Sequence, residues 1–273
     1  MLLDFLKTII FGVVEGISEW LPISSTGHLI IIQEFIQLNV RKEYWDIFIV
    51  IIQLGAIFAV LVNFFKDLNP LLAKNKSKKK SIYNTWIKII IGCIPAGIVG
   101  ILLNDWIEDR LMGNLVVSIT LIAYGIIFII VEKKNNKEVS SDINSIEDMS
   151  YITAFKIGLF QMLSLIPGTS RSGSTIIGGL LLGVSRPLSA NFSFYMSIPI
   201  MFGASFLKLI DAFFKGFTFS SYEIILLIVG MVTAFIVSLI TINLFLKYIK
   251  NNDFTAFGWY RIIVGIIVLL LYF

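Results

Sequence analysis

Glu15 and Glu19 stand four residues apart in an otherwise apolar stretch, and Ser24, Ser25, Thr26 and His28 follow closely. On a helix that spacing puts both carboxylates on one face. Carboxylates in apolar surroundings are costly and point to function. The plainer alternative is a structural pair neutralised by protonation or by Lys7. His28 is the single histidine of the chain. A lone histidine is more often a satisfied core residue than a catalyst. Its place one turn after Ser24, beside Ser25 and close to two carboxylates, favours chemistry. A second stretch reads Pro167-Gly168-Thr169-Ser170-Arg171-Ser172-Gly173-Ser174 and opens an apolar helix. Free amides at a helix N-terminus, small hydroxyls and one guanidinium make a phosphate cradle. It lacks the Gly-Lys-Ser/Thr ending of a Walker A loop. Arg171 needs an anionic partner in such surroundings, whereas Arg186 and Arg261, near span ends, read as snorkelling side chains. Carboxylates, hydroxyls and imidazole can together hold a divalent cation, supply a nucleophile and move a proton.

The elements that must position these groups repeat. Residues 20–28 and 165–174 each run through an apolar pair, a proline, a hydroxyl-rich turn and a glycine, about 145 residues apart. Ser24 suits a helix N-cap. Each turn is followed by a short apolar helix, expected at 29–38 and 175–183, and then by three longer apolar runs. Three spans per half is an odd number, so the second half must run inverted relative to the first. The halves are 1–131 and 151–273, joined by a linker at 132–150 within one membrane domain. Pro22 and Pro167-Gly168 break the apolar segments 3–38 and 151–183, and lipid cannot satisfy the freed backbone groups. These segments are therefore expected as two re-entrant helix pairs meeting near the midplane, the usual site location in inverted repeats.

Composition requires the bilayer. The 273 residues are 57% hydrophobic and only 15% charged, with a mean hydropathy of +0.88. A soluble domain averages roughly 45–50% apolar and 25% charged, and a globule of this size could not hide the difference. Disorder and a disulfide scaffold are excluded by the same composition and by the single cysteine, Cys93, which reads as packing. More than half of the charges fall in 41–46, 66–81, 104–113 and 132–150. Between and beyond them lie six spans at about 45–65, 86–103, 114–131, 193–210, 223–246 and 259–273, each near the roughly 20 residues a crossing helix needs. Lys66, Lys74, Lys76, Lys78, Lys79 and Lys80, with Lys133, Lys134 and Lys137, place 66–81 and 132–150 in the cytoplasm. The acidic loop with Asp105, Glu108 and Asp109 and the stretch 211–222 fit the outside. Lysine bias thus explains the net charge of +4 without a nucleic-acid partner. The N-terminal apolar run meets Glu15 and Glu19 with no small-residue cleavage site, so it reads as part of the mature chain. A phosphate cradle at membrane depth implies a lipid phosphate or diphosphate.

The run Glu15-Gly-Ile-Ser-Glu19-Trp-Leu-Pro-Ile-Ser-Ser-Thr-Gly-His28, with Pro167-Gly-Thr-Ser-Arg171-Ser-Gly173, Ile52-Gln-Leu-Gly55 and Gly183-Val-Ser-Arg186, resembles the bacterial undecaprenyl-diphosphatase family of the bacitracin-resistance type. The likeness runs nearly end to end. Ser174, where many relatives carry alanine, is the one departure. The resemblance implies an all-α polytopic membrane protein with an inverted repeat, six transmembrane helices and two re-entrant pairs. It implies hydrolysis of undecaprenyl diphosphate to the monophosphate and phosphate at the outer face of the plasma membrane, carrier recycling for wall synthesis, and bacitracin resistance. It also implies a divalent cation, Mg2+ or Ca2+. On this reading Ser170, Arg171, Ser172, Gly173 and the amides following it hold the diphosphate, with Ser24, Thr26, Thr169 and Ser174 around them. Glu15 and Glu19 hold the cation, or Glu19 is the base, while Ser25 attacks with help from His28. A phosphatase fold using two histidines is disfavoured by the single histidine. A lipid-phosphate transporter or flippase stays open, as does a homodimer.

Overall fold

The structure, a computed structural model, describes residues 2–111, 113–138 and 142–272; of the side chains at 104, 105, 108, 109 and 135–138 nothing is described. The loop acids Asp105, Glu108 and Asp109, and Lys137, therefore lie outside the described side chains. The described residues fold into helices: α1 (Leu2–Ser18), α2 (Ser25–Phe35), α3 (Lys42–Asn63), α4 (Phe65–Leu68), α5 (Lys76–Leu111), α6 (Asn114–Glu138), α7 (Tyr151–Met162), α8 (Arg171–Leu181), α9 (Arg186–Phe214), α10 (Ser221–Ile249) and α11 (Thr255–Tyr272). Six of them (α3, α5, α6, α9, α10 and α11) are long and apolar enough to cross a membrane. The chain is an all-α, multi-pass membrane protein.

The six expected spans coincide with these six helices, but the helices run further. α5 begins ten residues before the expected 86, inside the lysine-rich stretch, and α6 continues past 131 to Glu138. Lysine and glutamate are good helix formers, so a charged flank lengthens a helix without lengthening its apolar run. The two short helices begin four residues earlier than expected, directly on the hydroxyl-rich turns. Proline and glycine end the preceding helix, and the serines at 24 and 170 start the next one.

Packing pairs the halves across each other. α1 lies on α10 and α7 on α5; α6 packs against α11 and α3 against α9. Exchanging α1, α2, α3, α5 and α6 for α7, α8, α9, α10 and α11 maps this set of pairings onto itself. Apolar burial does little to drive helix association in lipid, so close backbone approach and polar contacts matter more. Gly158 of α7 illustrates this: a Cβ there would sit 2.2 Å from the Gly92 carbonyl oxygen of α5. Only a glycine lets those two backbones touch. The linker is held too, by a parallel bridge between Ile143 and Val184 and by Ser81 and Lys88 of α5, which donate to the Glu147 carboxylate and the Ile146 carbonyl. Arg186, expected to snorkel, instead pairs with fully buried Glu132 of α6. The Glu132 carboxylate also accepts the Phe254 amide at 3.1 Å. That pair ties the start of α9 to the far end of α6 and to the approach to α11.

The core runs through the middle of this arrangement. Trp20, between the first carboxylates and Pro22, is fully buried and meets the Phe194 ring edge-on at 5.2 Å. A bulky indole wedged against α9 fixes the chain between α1 and α2, where the first motif turns.

Candidate active site

Two serines carry the only positive φ among the described non-glycine residues: Ser24 and Ser170, both at 75°. A non-glycine residue pays for such a backbone, and paired strain of this kind gathers at functional sites. Both serines are N-caps. The Ser24 hydroxyl accepts from the Gly27 amide at 3.3 Å and the Ser170 hydroxyl from the Gly173 amide at 3.1 Å. Gly168, with φ +84, completes the second turn, where a Cβ would strike the Thr120 hydroxyl at 2.1 Å. The N-cap role expected for Ser24 holds, and Ser170 repeats it in the second half.

Residues from both helix starts line one cavity of about 210 Å³. Ser24, Ser25 and Thr26 come from the first turn; Ser170, Arg171 and Ser172 come from the second; Glu19 lies with them. Glu19 is the hub. Its Oε2 accepts from the Ser25 hydroxyl at 2.5 Å, and its Oε1 accepts from Arg171 Nη2 at 2.9 Å. Ser172 donates to the Glu19 carbonyl at 3.2 Å. Arg171 Nη1 donates to the Ser193 carbonyl at 2.8 Å, which holds the guanidinium against α9. The anionic partner expected for Arg171 is thus a carboxylate of the other motif. Two helix N-termini and one guanidinium favour an anion in this cavity.

Several expected site residues lie elsewhere. His28 does not meet Ser25. Its Nδ1 is 2.7 Å from the Ser24 carbonyl and its Nε2 is 2.8 Å from the Tyr260 hydroxyl, with the two rings stacked. The carbonyl can only accept, so Nδ1 carries the proton. Side chains three apart on a helix are neighbours only if their rotamers converge, and here Ser25 turns to Glu19 and His28 to α11. Thr169, Gly173 and Ser174 sit behind the cradle, buried, and neither they nor Glu15 and His28 are among the cavity-lining residues. Lys7 donates to the Gln37 carbonyl at 2.6 Å and so does not neutralise the carboxylate pair. Cys93 is buried, as packing requires.

Glu15 is fully buried, one turn before Glu19, whose amide donates to the Glu15 carbonyl at 3.0 Å. Neither of its carboxylate oxygens has a hydrogen-bond partner. Two orphaned hard oxygens beside a second carboxylate fit a Mg2+ or Ca2+ donor set. No group of three or more acidic, histidine or cysteine side chains suited to a metal occurs among the described residues. Further ligands would have to be substrate or water oxygens.

Arg261 departs most from expectation. It is fully buried, and no carboxylate pairs with it among the described residues. Nη1 donates to the Pro22 carbonyl at 3.0 Å; Nη2 donates to those of Gly168 and Thr169 at 2.8 and 2.9 Å. One side chain thus bridges the turns of both motifs. Its sequence signal was a cation in an apolar run with no acid nearby. Gln161 and Ser164 also line the cavity without having been singled out, as does Gln53, which stood in the quoted run Ile52-Gln-Leu-Gly55 without a site role.

These features define a class: a multi-pass membrane protein whose cavity joins a hydroxyl, a carboxylate and a guanidinium between two helix N-termini, the equipment for handling a phosphate group. The comparison with known proteins narrows it. A family described as Bacitracin resistance protein BacA matches residues 8–267, and the chain belongs to that family. It is 51% identical over 264 residues to undecaprenyl-diphosphatase of Enterococcus faecalis, covering 96% of this chain and 95% of that one. It is 51% identical over 273 residues to undecaprenyl-diphosphatase 1 of Clostridioides difficile, covering 100% of this chain and 97% of that protein. Undecaprenyl-diphosphatase of Desulfitobacterium hafniense is 50% identical over 271 residues, 98% of this chain and 96% of the relative.

Proposed function

We propose that this chain is an undecaprenyl-diphosphate phosphatase, releasing undecaprenyl phosphate and inorganic phosphate. That reaction recycles the carrier lipid for cell-wall synthesis and removes the ligand of bacitracin. The names of relatives about half identical to it over nearly the whole chain support the substrate. The observation that carries the mechanism is the run Ser25–Glu19–Arg171 inside a cavity edged by two helix N-termini.

Ser25 Oγ attacks the terminal phosphorus and gives its proton to Glu19, which already accepts it at 2.5 Å. A hydroxyl is a weak nucleophile without such a base. The bond from phosphorus to the bridging oxygen breaks, and the lipid monophosphate leaves with the proton that Glu19 returns. Water, deprotonated in turn by Glu19, then attacks the phosphorus of the phosphoserine; the P–Oγ bond breaks, Ser25 Oγ takes that proton back from Glu19, and phosphate leaves. Arg171, Ser170 and Ser172, at the N-terminus of α8, hold the charge that spreads over the phosphoryl oxygens. The Gly173 and Ser174 amides, expected to join them, are taken up by Ser170. His28 acts through its two hydrogen bonds, holding the Ser24 carbonyl and with it the first turn. A divalent cation would take its protein oxygens from the unpartnered Glu15 carboxylate, and from Glu19 only where Arg171 or Ser25 releases one of its oxygens, and would neutralise phosphate charge as a Lewis acid.

The lysine bias of 66–81 and 132–150 supports a plasma-membrane orientation with these stretches in the cytoplasm and the cavity served from outside. The exchange-symmetric pairing of helices supports halves at 1–131 and 151–273 related as an inverted repeat. Phosphate release by the purified protein in detergent, supplied with undecaprenyl diphosphate and Mg2+ or Ca2+, tests the reading. Turnover that Ser25→Ala abolishes is expected. Binding or transport of the lipid with no phosphate released would make the chain a transporter instead.

A further inference from the structure

We propose that Gln161 is a substrate contact: its amide donates to a diphosphate oxygen that Arg171 leaves uncovered. The inference rests on the diphosphatase reading above. Gln161 stands on the last turn of α7, is 1% exposed, and has no hydrogen-bond partner for either Oε1 or Nε2. The neighbouring Cys93 thiol spends its proton on the Met196 carbonyl at 3.4 Å, which leaves only a weak sulfur contact to the amide. Burying a carboxamide with nothing to bond costs stability, and a methionine or leucine would fill the space without that cost. The residue nevertheless lines the same cavity as Glu19, Ser25, Ser170 and Arg171.

Its placement is rigid. Gly158, one turn earlier, seats α7 directly on the α5 backbone, and the Ser164 hydroxyl donates to the Gln161 carbonyl at 2.6 Å. The backbone is fixed while the amide is left with no oxygen or nitrogen partner, the condition of a group whose partner arrives with the ligand. Charge favours an amide here. Arg171 gives Nη1 to the Ser193 carbonyl and Nη2 to Glu19, leaving its buried Nε without a partner, and a diphosphate presents more oxygens than the rest of one guanidinium can cover. A neutral donor adds a bond without adding a second cation that would retain the anionic products. Gln53 of α3 faces the same cavity and supplies a second carboxamide to it.

The test uses full-length protein in detergent, undecaprenyl diphosphate as substrate, and a non-hydrolysable methylenediphosphonate monoester of a polyprenol as binding probe. Gln161→Met, close in volume, should raise KM and weaken the probe by at least about tenfold, with kcat changed much less. Its ligand-free thermal midpoint should equal or exceed that of wild type, because an unpaired buried amide has been removed. Should the methionine variant not fold, Gln161→Asn, which shortens the reach, should show the same loss of probe affinity. Probe affinity within twofold of wild type in the folded variant would overturn the proposal. A lowered midpoint with unchanged probe affinity would do so as well, marking Gln161 as packing. Wild-type protein that binds the probe but releases no phosphate would refute the diphosphatase reading alone, since the affinity comparison would still decide the Gln161 contact.

Discussion

At Ser25 reach favours Glu19 as the proton acceptor in the proposed mechanism. The hydroxyl points to Glu19 at 2.5 Å, while both His28 nitrogens are occupied by Ser24 and Tyr260. The residue types in the first motif were legible in the sequence, and Glu19, Ser24, Ser25 and Thr26 do meet the second motif at one cavity, but His28, expected with them, turns away to Tyr260. Which of two candidate bases faces the nucleophile was not legible, because that depends on χ angles set by α8 and α11, contributed from far along the chain. Ser25→Ala and Glu19→Gln should each remove essentially all turnover, since general-base assistance is worth about 10²–10⁴-fold. His28→Ala should keep a rate within about tenfold of wild type and, more tellingly, keep the acid limb of the pH profile of kcat/KM. Disappearance of that limb in His28→Ala, with Glu19→Gln still active, would return the base to His28.

Among the elements, α11 had the least readable role. Its apolar run was plain, and its single arginine was placed at a span end from sequence. The helix begins earlier than that reading, at Thr255, and Arg261 turns inward to the two motif turns. A buried guanidinium with no counter-ion is expensive. Here three carbonyls that the broken helices leave open supply its partners, and no sequence pattern announces carbonyls as ligands. The turns themselves were legible, because proline, glycine and capping serine act locally. Arg261→Lys keeps the charge but cannot fork to Pro22 and Gly168 together. It should lower kcat by at least about tenfold, about 1.4 kcal/mol, with a smaller change in KM. It should also lower the thermal midpoint, because each deserted carbonyl costs about 1–3 kcal/mol. A variant with normal kcat would show that the two turns hold their register without α11.

For the molecule as a whole, the six spans and the internal repeat came from apolar run lengths and from two similar turns, both properties of composition. The boundaries shifted because helix propensity in the charged flanks carries α5 and α6 beyond their apolar runs. Inversion has a sharper consequence. If the halves run oppositely, corresponding loops must face opposite sides: Lys78 and the α10–α11 turn at Asn251 inside, Gly113 and the α9–α10 turn at Lys215 outside. All four positions are exposed, and the one native cysteine is buried. Single cysteines at these positions in a Cys93→Ala background, treated in intact cells with a membrane-impermeant thiol reagent, should react at Gly113→Cys and Lys215→Cys only. Lys78→Cys and Asn251→Cys should react once the membrane is permeabilised. Labelling of Lys78→Cys and Lys215→Cys from the same side would make the repeat parallel. The pairing of α1 with α10 and of α7 with α5 would then need an origin other than inverted duplication. Labelling of all four with sides exchanged would keep the inversion and reverse the orientation, placing the lysine-rich stretch outside against the positive-inside bias.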